Sequence, residues 1–317
     1  MLWAGDRSRE VGWKQKGMSY RDIAEKGGGI AATVLPTRKS SDSELAHLGV
    51  ERMRKALRNG TTHMEVKSGY GLDTDSELRL LSVAENLAAI DNLPSLDLTW
   101  LGAHAAPPTK SIDDYYEEII SDQLPAIVEQ GIARSADVFC EPGWFNVEQT
   151  EEILKDSKKG GLDLRLHIDE FEDGGGGDLA ADLGVVTADH AHYTNDEARV
   201  RMNDAGVNCG FLPGTPYSMG SEYPPFKDCI ENDWIWSIAT DFNPNCRILS
   251  LPFIASILVQ RNEILPITTL AACTRNSSET TPHPSGLKQG QIVEGGVANL
   301  NLSLIHISEP TRLPGLS

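Results

Sequence analysis

Between Leu162 and His167 the chain alternates apolar and polar residues, Leu162, Leu164 and Leu166 against Asp163, Arg165 and His167. Period two predicts a short strand with one face turned to apolar neighbours. The alternation breaks where His167, Asp169 and Glu170 arrive together in HIDEFED, and Gly174–Gly177 then frees the backbone. The same cadence runs through the chain. Thr62–Val66 predicts a strand entering KSGYG, followed by a helix over Asp75–Ala89. Leu96–Leu101 enters GAHAAPP, before a helix over Ile112–Gln130 with Pro125 near a bend. Asp137–Cys140 ends in Glu141 and precedes a helix over Val147–Lys159. After the His167 strand come a helix near Leu179–Leu183, then Val185–Thr187 entering ADHAHY and a helix over Asp196–Ala205. Val207–Leu212 enters PGTPYS ahead of a helix over Phe226–Asn232, and Trp236–Thr240 enters DFNPN.

Strand, polar loop and helix repeating at intervals of roughly thirty residues mark consecutive βαβ units and a parallel sheet. Strands buried on both faces suit that reading, as with Ile238 and Ala239 before Asp241. The expected class is therefore α/β, a (β/α)8 TIM-type barrel. Seven strands can be counted where a closed barrel needs eight. The first would belong ahead of Met1, where MLWAGDR passes straight from apolar residues into a turn, as though a strand ended just upstream. Ser19–Lys26 predicts a short helix stopped by Gly27–Gly29. Ser41–Asn59 predicts a longer one, with Ser41 or Asp42 as N-cap, Glu44 in its first turn and Gly60 closing it. The barrel is expected over residues 1–281. Residues 282–304, with GLKQGQIVEGGVANLNLSL, read as turns and short strands, the remnant of a small β domain. Residues 305–317 (IHISEPTRLPGLS) have no usable periodicity and read as a disordered or non-native tail.

Composition narrows the partners. A formal charge of -18 argues against a nucleic-acid or anionic-membrane surface, since both need clustered Lys and Arg. The acidity also suits a protein kept soluble in high salt. The five cysteines are dispersed and without C-x-x-C spacing, which reads as reduced thiols in a cytoplasmic protein. No apolar run reaches membrane-spanning length, and Met1–Glu10 has no signal-peptide core. A small-molecule substrate is expected, with a homodimer allowed.

Candidate chemistry stands at the strand ends: Tyr70, His104, Glu141, His167 with Glu170, His190, and Asp241 with Asn243. Strand ends of a barrel converge on one mouth, so residues distant in sequence become neighbours. Imidazoles and a carboxylate from different strands can make an open divalent-metal site, for zinc or iron, and a bound water there ionises near neutral pH. Taken singly each residue has a plainer reading. His167 reads equally well as a satisfied core histidine, Asp241 as a helix cap, His190 as a loop residue beside His192, and Tyr70 as a turn former. His47 and His63 read as structural or exposed. Lys67, at its strand end, stands in the wrong place to bridge two metals, which favours one ion. The Gly174–Gly177 run lacks the lysine pattern of a phosphate loop.

The segments GDR, YRDIAEKGGGI, EVKSGYGLD, LGAHAAPP, DVFCE, HIDEFED, ADHAHY, LPGTPYS, ATDFNPNC and CTRN, in this order, closely resemble the imidazolonepropionase family of the amidohydrolase superfamily, from Gly5 to about Leu300. The resemblance implies hydrolysis of the ring amide of 4-imidazolone-5-propanoate, giving N-formimidoyl-L-glutamate in histidine breakdown. It implies His167 and Asp241 as ligands of one divalent ion, zinc or iron, with Asp241 also shuttling a proton. Glu170 and His190 match residues that orient the attacking water and the carbonyl oxygen. Arg7, Tyr20, Tyr70 and His104 match groups holding substrate, the arginine suited to the propionate carboxylate by its fork. Asn243, Asn245 and Cys246 occupy a stretch that contacts substrate and product, although Asn245 replaces a glycine usual in many members. The family's His-x-His pair, at the end of its first barrel strand, is expected ahead of the segment matching Met1–Arg7, and this chain does not carry it there. A truncated or misbounded chain is the expectation. The competing readings are another amidohydrolase, such as a nucleobase deaminase, and a non-catalytic remnant or solute-binding protein. Arg7 at the mouth favours an acidic substrate over a neutral base.

Overall fold

The computed structural model describes residues 2–301. All seven expected strands form: β1 (His63–Lys67), β2 (Ser95–Ala103), β3 (Ser135–Cys140), β4 (Asp163–Ile168), β5 (Thr187–His190), β6 (Asn208–Phe211) and β7 (Trp236–Ile238). They lie side by side in sequence order, every neighbouring pair parallel. The sheet curls as a half-barrel, and β1 and β7 are not paired among the described residues. The chain is thus an α/β protein of the expected barrel type, its eighth strand not among the elements described. At the gap, Trp3 packs 5.6 Å from Tyr70 beyond β1 and 5.1 Å from Phe242 beyond β7, with the Arg52 guanidinium 3.8 Å over its ring. The apolar residues that open the sequence therefore pack across the mouth rather than extending as a strand.

Four helices precede the sheet: α1 (Arg9–Lys14), α2 (Tyr20–Glu25), α3 (Ala31–Lys39) and α4 (Asp42–Arg58). Between strands lie α5 (Thr74–Ala88), α6 (Ile112–Glu118), α7 (Leu124–Gln130), α8 (Val147–Lys159), α9 (Gly176–Leu183), α10 (Asp196–Asp204), α11 (Gly214–Met219) and α12 (Phe226–Glu231). After β7 come α13 (Leu251–Asn262), α14 (Pro266–Ala271) and α15 (Ser277–Thr280). The caps are legible in the sequence. The Ser41 hydroxyl accepts from the Glu44 amide, and the Glu44 carboxylate accepts from the Ser41 amide, a reciprocal pair worth about 0.5–2 kcal/mol at the Ser position. Asn146 and Gln149 do the same for α8. The bend expected near Pro125 is a π-helical stretch, Ile119–Gln123, joining α6 to α7; proline has no N–H to give the preceding turn, and the wider turn absorbs the loss.

Three helices depart from expectation. Neither α1 nor α3 carries an apolar stripe, α3 burying Thr33, Val34 and Thr37 with Pro36 inside it, and α11 occupies the PGTPYS segment expected as a loop. Short strands were expected in the segment after Pro282; residues 282–301 form turns and unpaired stretches instead. The tail expected at 305–317 lies outside the described residues. No helix among the described residues is long and apolar enough to cross a membrane.

Strand alternation sorts the sheet into two faces. Leu164, Leu166 and Ile168 of β4, with Ala136 and Val138 of β3 and Trp100 of β2, belong to the main apolar cluster between sheet and helices. The opposite parity is polar: Glu65, Lys67, Arg165, His167, Thr187, Asp189 and Ser237 line an internal cavity. Register aligns them, with Asp137 beside Arg165, Phe139 beside His167 and His167 beside Asp189. Where a complete barrel fills its interior with branched apolar side chains, this one carries ions. Leu166→Ala removes a fully buried side chain from the helix-facing side of β4. It should lower the unfolding free energy by about 2–5 kcal/mol, seen as a lower urea midpoint at unchanged slope.

Candidate functional site

β4 delivers its side chains in order of depth. Asp163 is exposed at the base, Arg165 is buried mid-barrel, and His167 reaches the cavity two residues later. The His167 Nδ1 lies 3.0 Å from Asp137 Oδ2 and 3.1 Å from Oδ1. A carboxylate on Nδ1 fixes the ring's orientation and leaves Nε2 as the nitrogen available to a ligand or ion. Burial opposes a charge on His167, but Asp137 beside it outweighs burial and holds its pKa above the ordinary value. Asp137 is itself buried; His167 and Lys67 overcome that burial and keep its carboxyl far below the usual range.

Asp137, His167 and Asp189 bring ligand atoms within 4.8 Å of one another, a group that could hold a divalent ion. The Lys67 ammonium sits against the same carboxylates, 2.6 Å from Asp137, 3.5 Å from Asp189 and 2.7 Å from Glu65. As folded, the two aspartates are answered by an ammonium. Two further donors at the mouth are His167, through its outer nitrogen, and Asp241. Both line the cavity, and an imidazole nitrogen with a carboxylate oxygen suits a divalent ion.

The chain leaves three strand ends through backbone conformations that L-residues rarely adopt. Asp169 (φ 49°), His190 (φ 65°), Ala191 (φ 42°) and Asp241 (φ 48°) all lie in the left-handed region. The register of β5 puts Asp189 on the cavity side, so His190 would by pleat face the helices. The positive φ turns it back, and its ring lies 5.3 Å from that of His167. Its Nε2 stands 3.5 Å from Glu170 Oε2. After Asp169 the loop is tied down: its Oδ1 accepts from the Gly174 amide at 3.0 Å, and its Oδ2 from the Thr194 hydroxyl at 2.5 Å. Glu170 thereby lines the cavity. Burial, with Asp241 and Glu141 adding, pushes its carboxyl well above the ordinary range, and burial with His167 and His192 pushes His190 well below. Asp241 is raised by burial, against the Thr215 hydroxyl that donates to it. The mouth therefore sets a carboxyl whose proton affinity is raised by burial beside an imidazole whose proton affinity is lowered, a pairing suited to passing protons.

The substrate-facing residues come from the N-terminal segment and the β1 and β2 loops. Tyr20 stacks on Phe171 at 5.2 Å and lies under Arg7, whose guanidinium carbon is 5.7 Å from the ring centre. Arg7 is buried and its Nε and Nη2 donate to the two oxygens of Glu10 at 2.8 and 2.7 Å. One edge of its fork is therefore taken. A guanidinium has five N–H groups, so donors remain beyond the two that meet Glu10, with the Tyr20 side chain also bonded to it. Tyr70 meets His104 edge to face at 5.3 Å, and His104 Nδ1 lies 2.8 Å from the Gly69 carbonyl; burial pushes His104 down to about 3. The loop carrying Tyr70 is held by Glu77, which accepts from the amides of Gly69 and Gly71 at 2.7 Å and Leu72 at 2.9 Å. Gly69 is required there: its φ is 93°, and a Cβ would stand 2.6 Å from the Leu101 carbonyl.

All but two of the residues singled out from the sequence line this one cavity, of about 280 Å³: Arg7, Tyr20, Tyr70, His104, His167, Glu170, His190, Asp241, Asn243 and Asn245. Glu141 is one exception and Cys246 the other. Cys246 is fully buried behind the loop, 3.5 Å from the Ser218 hydroxyl, and does not face the cavity. Asn243 builds the loop, accepting from the amides of Asn245 and Cys246, while Asn245 accepts from the Lys14 ammonium at 2.5 Å. A His-x-His spacing does occur at His190 and His192, but His192 stacks flat on Tyr193 at 4.4 Å and does not line the cavity. The supporting carboxylates Asp137, Asp189, Glu10 and Glu77 are not among the residues that sequence reasoning singles out. A carboxylate inside an otherwise apolar strand, as in SADVFC, is the signal that marks Asp137.

No protein-family profile matches the chain. It is 37% identical over 294 residues to an imidazolonepropionase of Haloarcula marismortui, covering 93% of this chain and 69% of that one. It is 39% identical over 281 residues to an imidazolonepropionase of Desulfotalea psychrophila, covering 88% and 68%, and 35% identical over 315 residues to one of Thermoanaerobacter pseudethanolicus, covering 96% and 76%. Among solved structures, the 5-methylcytosine deaminase of Klebsiella pneumoniae liganded with phosphonocytosine superposes with a TM-score of 0.64 at 14% identity, over 84% of this chain and 69% of that one. The guanine deaminase of C. acetobutylicum with bound guanine gives 0.60 at 14% identity, over 80% and 65%. At that identity the likeness is one of fold.

In metal-free protein, Asp137→Asn should lower the titration midpoint of His167, followed through its ring proton resonance by NMR, because it takes away the charge that outweighs burial. The sign for stability follows from the raised folded-state pKa. The His167 contribution is fully present below its unfolded value, near 6.5, and is lost as pH rises through the folded one. An unchanged midpoint in Asp137→Asn would remove Asp137 from this role.

Proposed function

We propose a reaction from one premise: the chain belongs to the imidazolonepropionase family. It hydrolyses the ring amide of 4-imidazolone-5-propanoate to N-formimidoyl-L-glutamate. The observation that supports the residue roles is the single cavity in which a buried arginine, a carboxyl of raised proton affinity and an imidazole of lowered proton affinity meet His167 and Asp241. In our reading the substrate's propionate carboxylate lies on the donors of Arg7 beyond the edge that Glu10 keeps in place. Tyr20, Tyr70 and His104 wall the ring. His190 donates toward the carbonyl oxygen as it gains negative charge. Glu170, in its carboxylate form, takes a proton from the attacking water and passes it to Asp241, which delivers it to the ring nitrogen as the C–N bond breaks, so that water's hydroxyl ends on carbon and its proton on nitrogen. A divalent ion, zinc or iron, held by His167 and Asp241 would acidify that water and draw charge from the carbonyl.

The nucleobase-deaminase alternative draws support only from fold neighbours at 12–16% identity. The relatives at 35–39% are all imidazolonepropionases, and the buried Arg7 suits an acidic substrate.

Incubation with 4-imidazolone-5-propanoate, product followed by mass spectrometry, tests the reading, and deamination of guanine or cytosine without turnover of the imidazolone would overturn it. Arg7→Ala should lower kcat/KM by about ten- to a hundredfold, as expected for a charge-assisted hydrogen bond to a carboxylate worth about 1.5–3 kcal/mol. Glu170→Gln should strike kcat and spare metal content. His167→Ala should lose the bound divalent ion, measured by elemental analysis after gel filtration; equal metal in wild type and variant would remove His167 from the ligand set.

A further inference from the structure

Glu141 directly follows β3 and is 1% exposed, yet it does not line the cavity. Its carboxyl faces the β4 loop, where the backbone amides of Glu170 and Phe171 both donate to it. One of its oxygens, Oε2, is buried with no hydrogen-bond partner among the described residues. Burial pushes the carboxyl up to about 8, so near neutral pH the side chain is an uncharged acid. The same loop is fastened at two further points. Asp169, immediately before, is held in a left-handed conformation and accepts from the Gly174 amide and the Thr194 hydroxyl. Phe171, immediately after, is caught between Tyr20 and Trp144, with ring centres 5.2 and 5.7 Å away. Glu170 is the residue between, and its side chain is the part of the turn that enters the cavity.

We infer that Glu141 is a positioning residue for Glu170: from a neighbouring strand end it grips the amide of Glu170 and of the residue after it, and so fixes where the Glu170 carboxyl stands relative to His190 and the attacking water. Asp169 and Phe171 set the path of the loop; Glu141 sets the plane of the peptide from which the Glu170 side chain springs. A displacement of about 1 Å at a reacting group can cost on the order of a hundredfold in rate, so a buried acceptor that never touches substrate can still govern turnover. The inference rests on the role proposed for Glu170, although the grip itself does not.

Two substitutions separate positioning from bulk stability. Glu141→Gln keeps an oxygen to accept both amides and matches the uncharged acid in shape, while Glu141→Ala removes the acceptor. Glu141→Ala should lower kcat for imidazolonepropionate by about ten- to a hundredfold with KM within about threefold, and Glu141→Gln should restore kcat to within about threefold of wild type. In parallel, hydrogen exchange at the Glu170 and Phe171 amides, read by mass spectrometry or NMR, should quicken by at least about tenfold in Glu141→Ala and stay at the wild-type rate in Glu141→Gln. If Glu141→Ala does not fold, Glu141→Asp, one methylene too short to reach both amides, takes its place. Wild-type exchange at both amides in the Ala or Asp variant overturns the inference, as does a Gln variant as slow as Ala. A wild-type chain that fails to turn over the imidazolone counts against the proposed reaction instead, and the exchange rates then decide the grip alone.

Discussion

Charges buried inside a half-barrel must answer one another, and this requirement organises the molecule from β1 to β5. Lys67 is the hub. Its ammonium touches Glu65, Asp137 and Asp189, Asp137 in turn holds His167, and Glu65 meets Arg165 at 3.2 Å. An intact buried pair contributes little net stability, since desolvation offsets much of the attraction, whereas removing one partner strands the other and costs about 3–5 kcal/mol. The lattice therefore acts less as glue than as a constraint. Only a register that pairs Asp137 with Arg165 and His167 with Asp189 satisfies it, and that register carries His167 to the mouth in a fixed orientation.

Strain is concentrated where the strands give way to loops. Non-glycine residues in the left-handed region cost of order 1–3 kcal/mol each and persist only where their surroundings over-determine them. Asp169, His190, Ala191 and Asp241 each meet that condition. The Ala191 amide reaches the Ile168 carbonyl at 3.0 Å, the Tyr193 amide reaches Asp169 at 2.9 Å, and the Asn243 side chain donates to the Asp241 carbonyl at 2.9 Å. What the strain accomplishes is directional: the pleat sends alternate side chains outward, and a left-handed residue returns one to the mouth. His190 is the clearest case, since its paired neighbour Ile168 faces the helices.

Around the substrate position, buried carboxylates do the fastening. Glu10 holds Arg7, Glu77 holds the Tyr70 loop and Glu141 holds the Glu170 loop. Each accepts backbone amides that a glycine-rich or strained loop leaves without helix or sheet partners. Part of the acidic surplus of the chain thus serves as internal scaffolding rather than as surface charge.

The cadence of strand, loop and helix, the caps at Ser41 and Asn146, and the alternation that brings His167 to a strand end all depend on neighbours in sequence. They are legible in the string of residues alone. So is the residue set at the mouth, carried by motifs whose spacing the resemblance fixes. Other features depend on the curl of the sheet. The Asp137–His167 contact joins residues thirty apart, the Lys67 hub joins three strands, and Glu141 reaches a loop twenty-nine residues on. Cys246 turning away from the cavity is equally hidden, because it is decided by how a loop folds back on a surface. Helices α1 and α3 escape for a simpler reason: they bury charged or hydroxyl groups rather than an apolar stripe, so only the surrounding packing makes them helical. Local periodicity, set by covalent geometry, can be read from the order of residues; pairing of buried charges and the aim of a strained side chain exist only once distant segments share the same few ångströms.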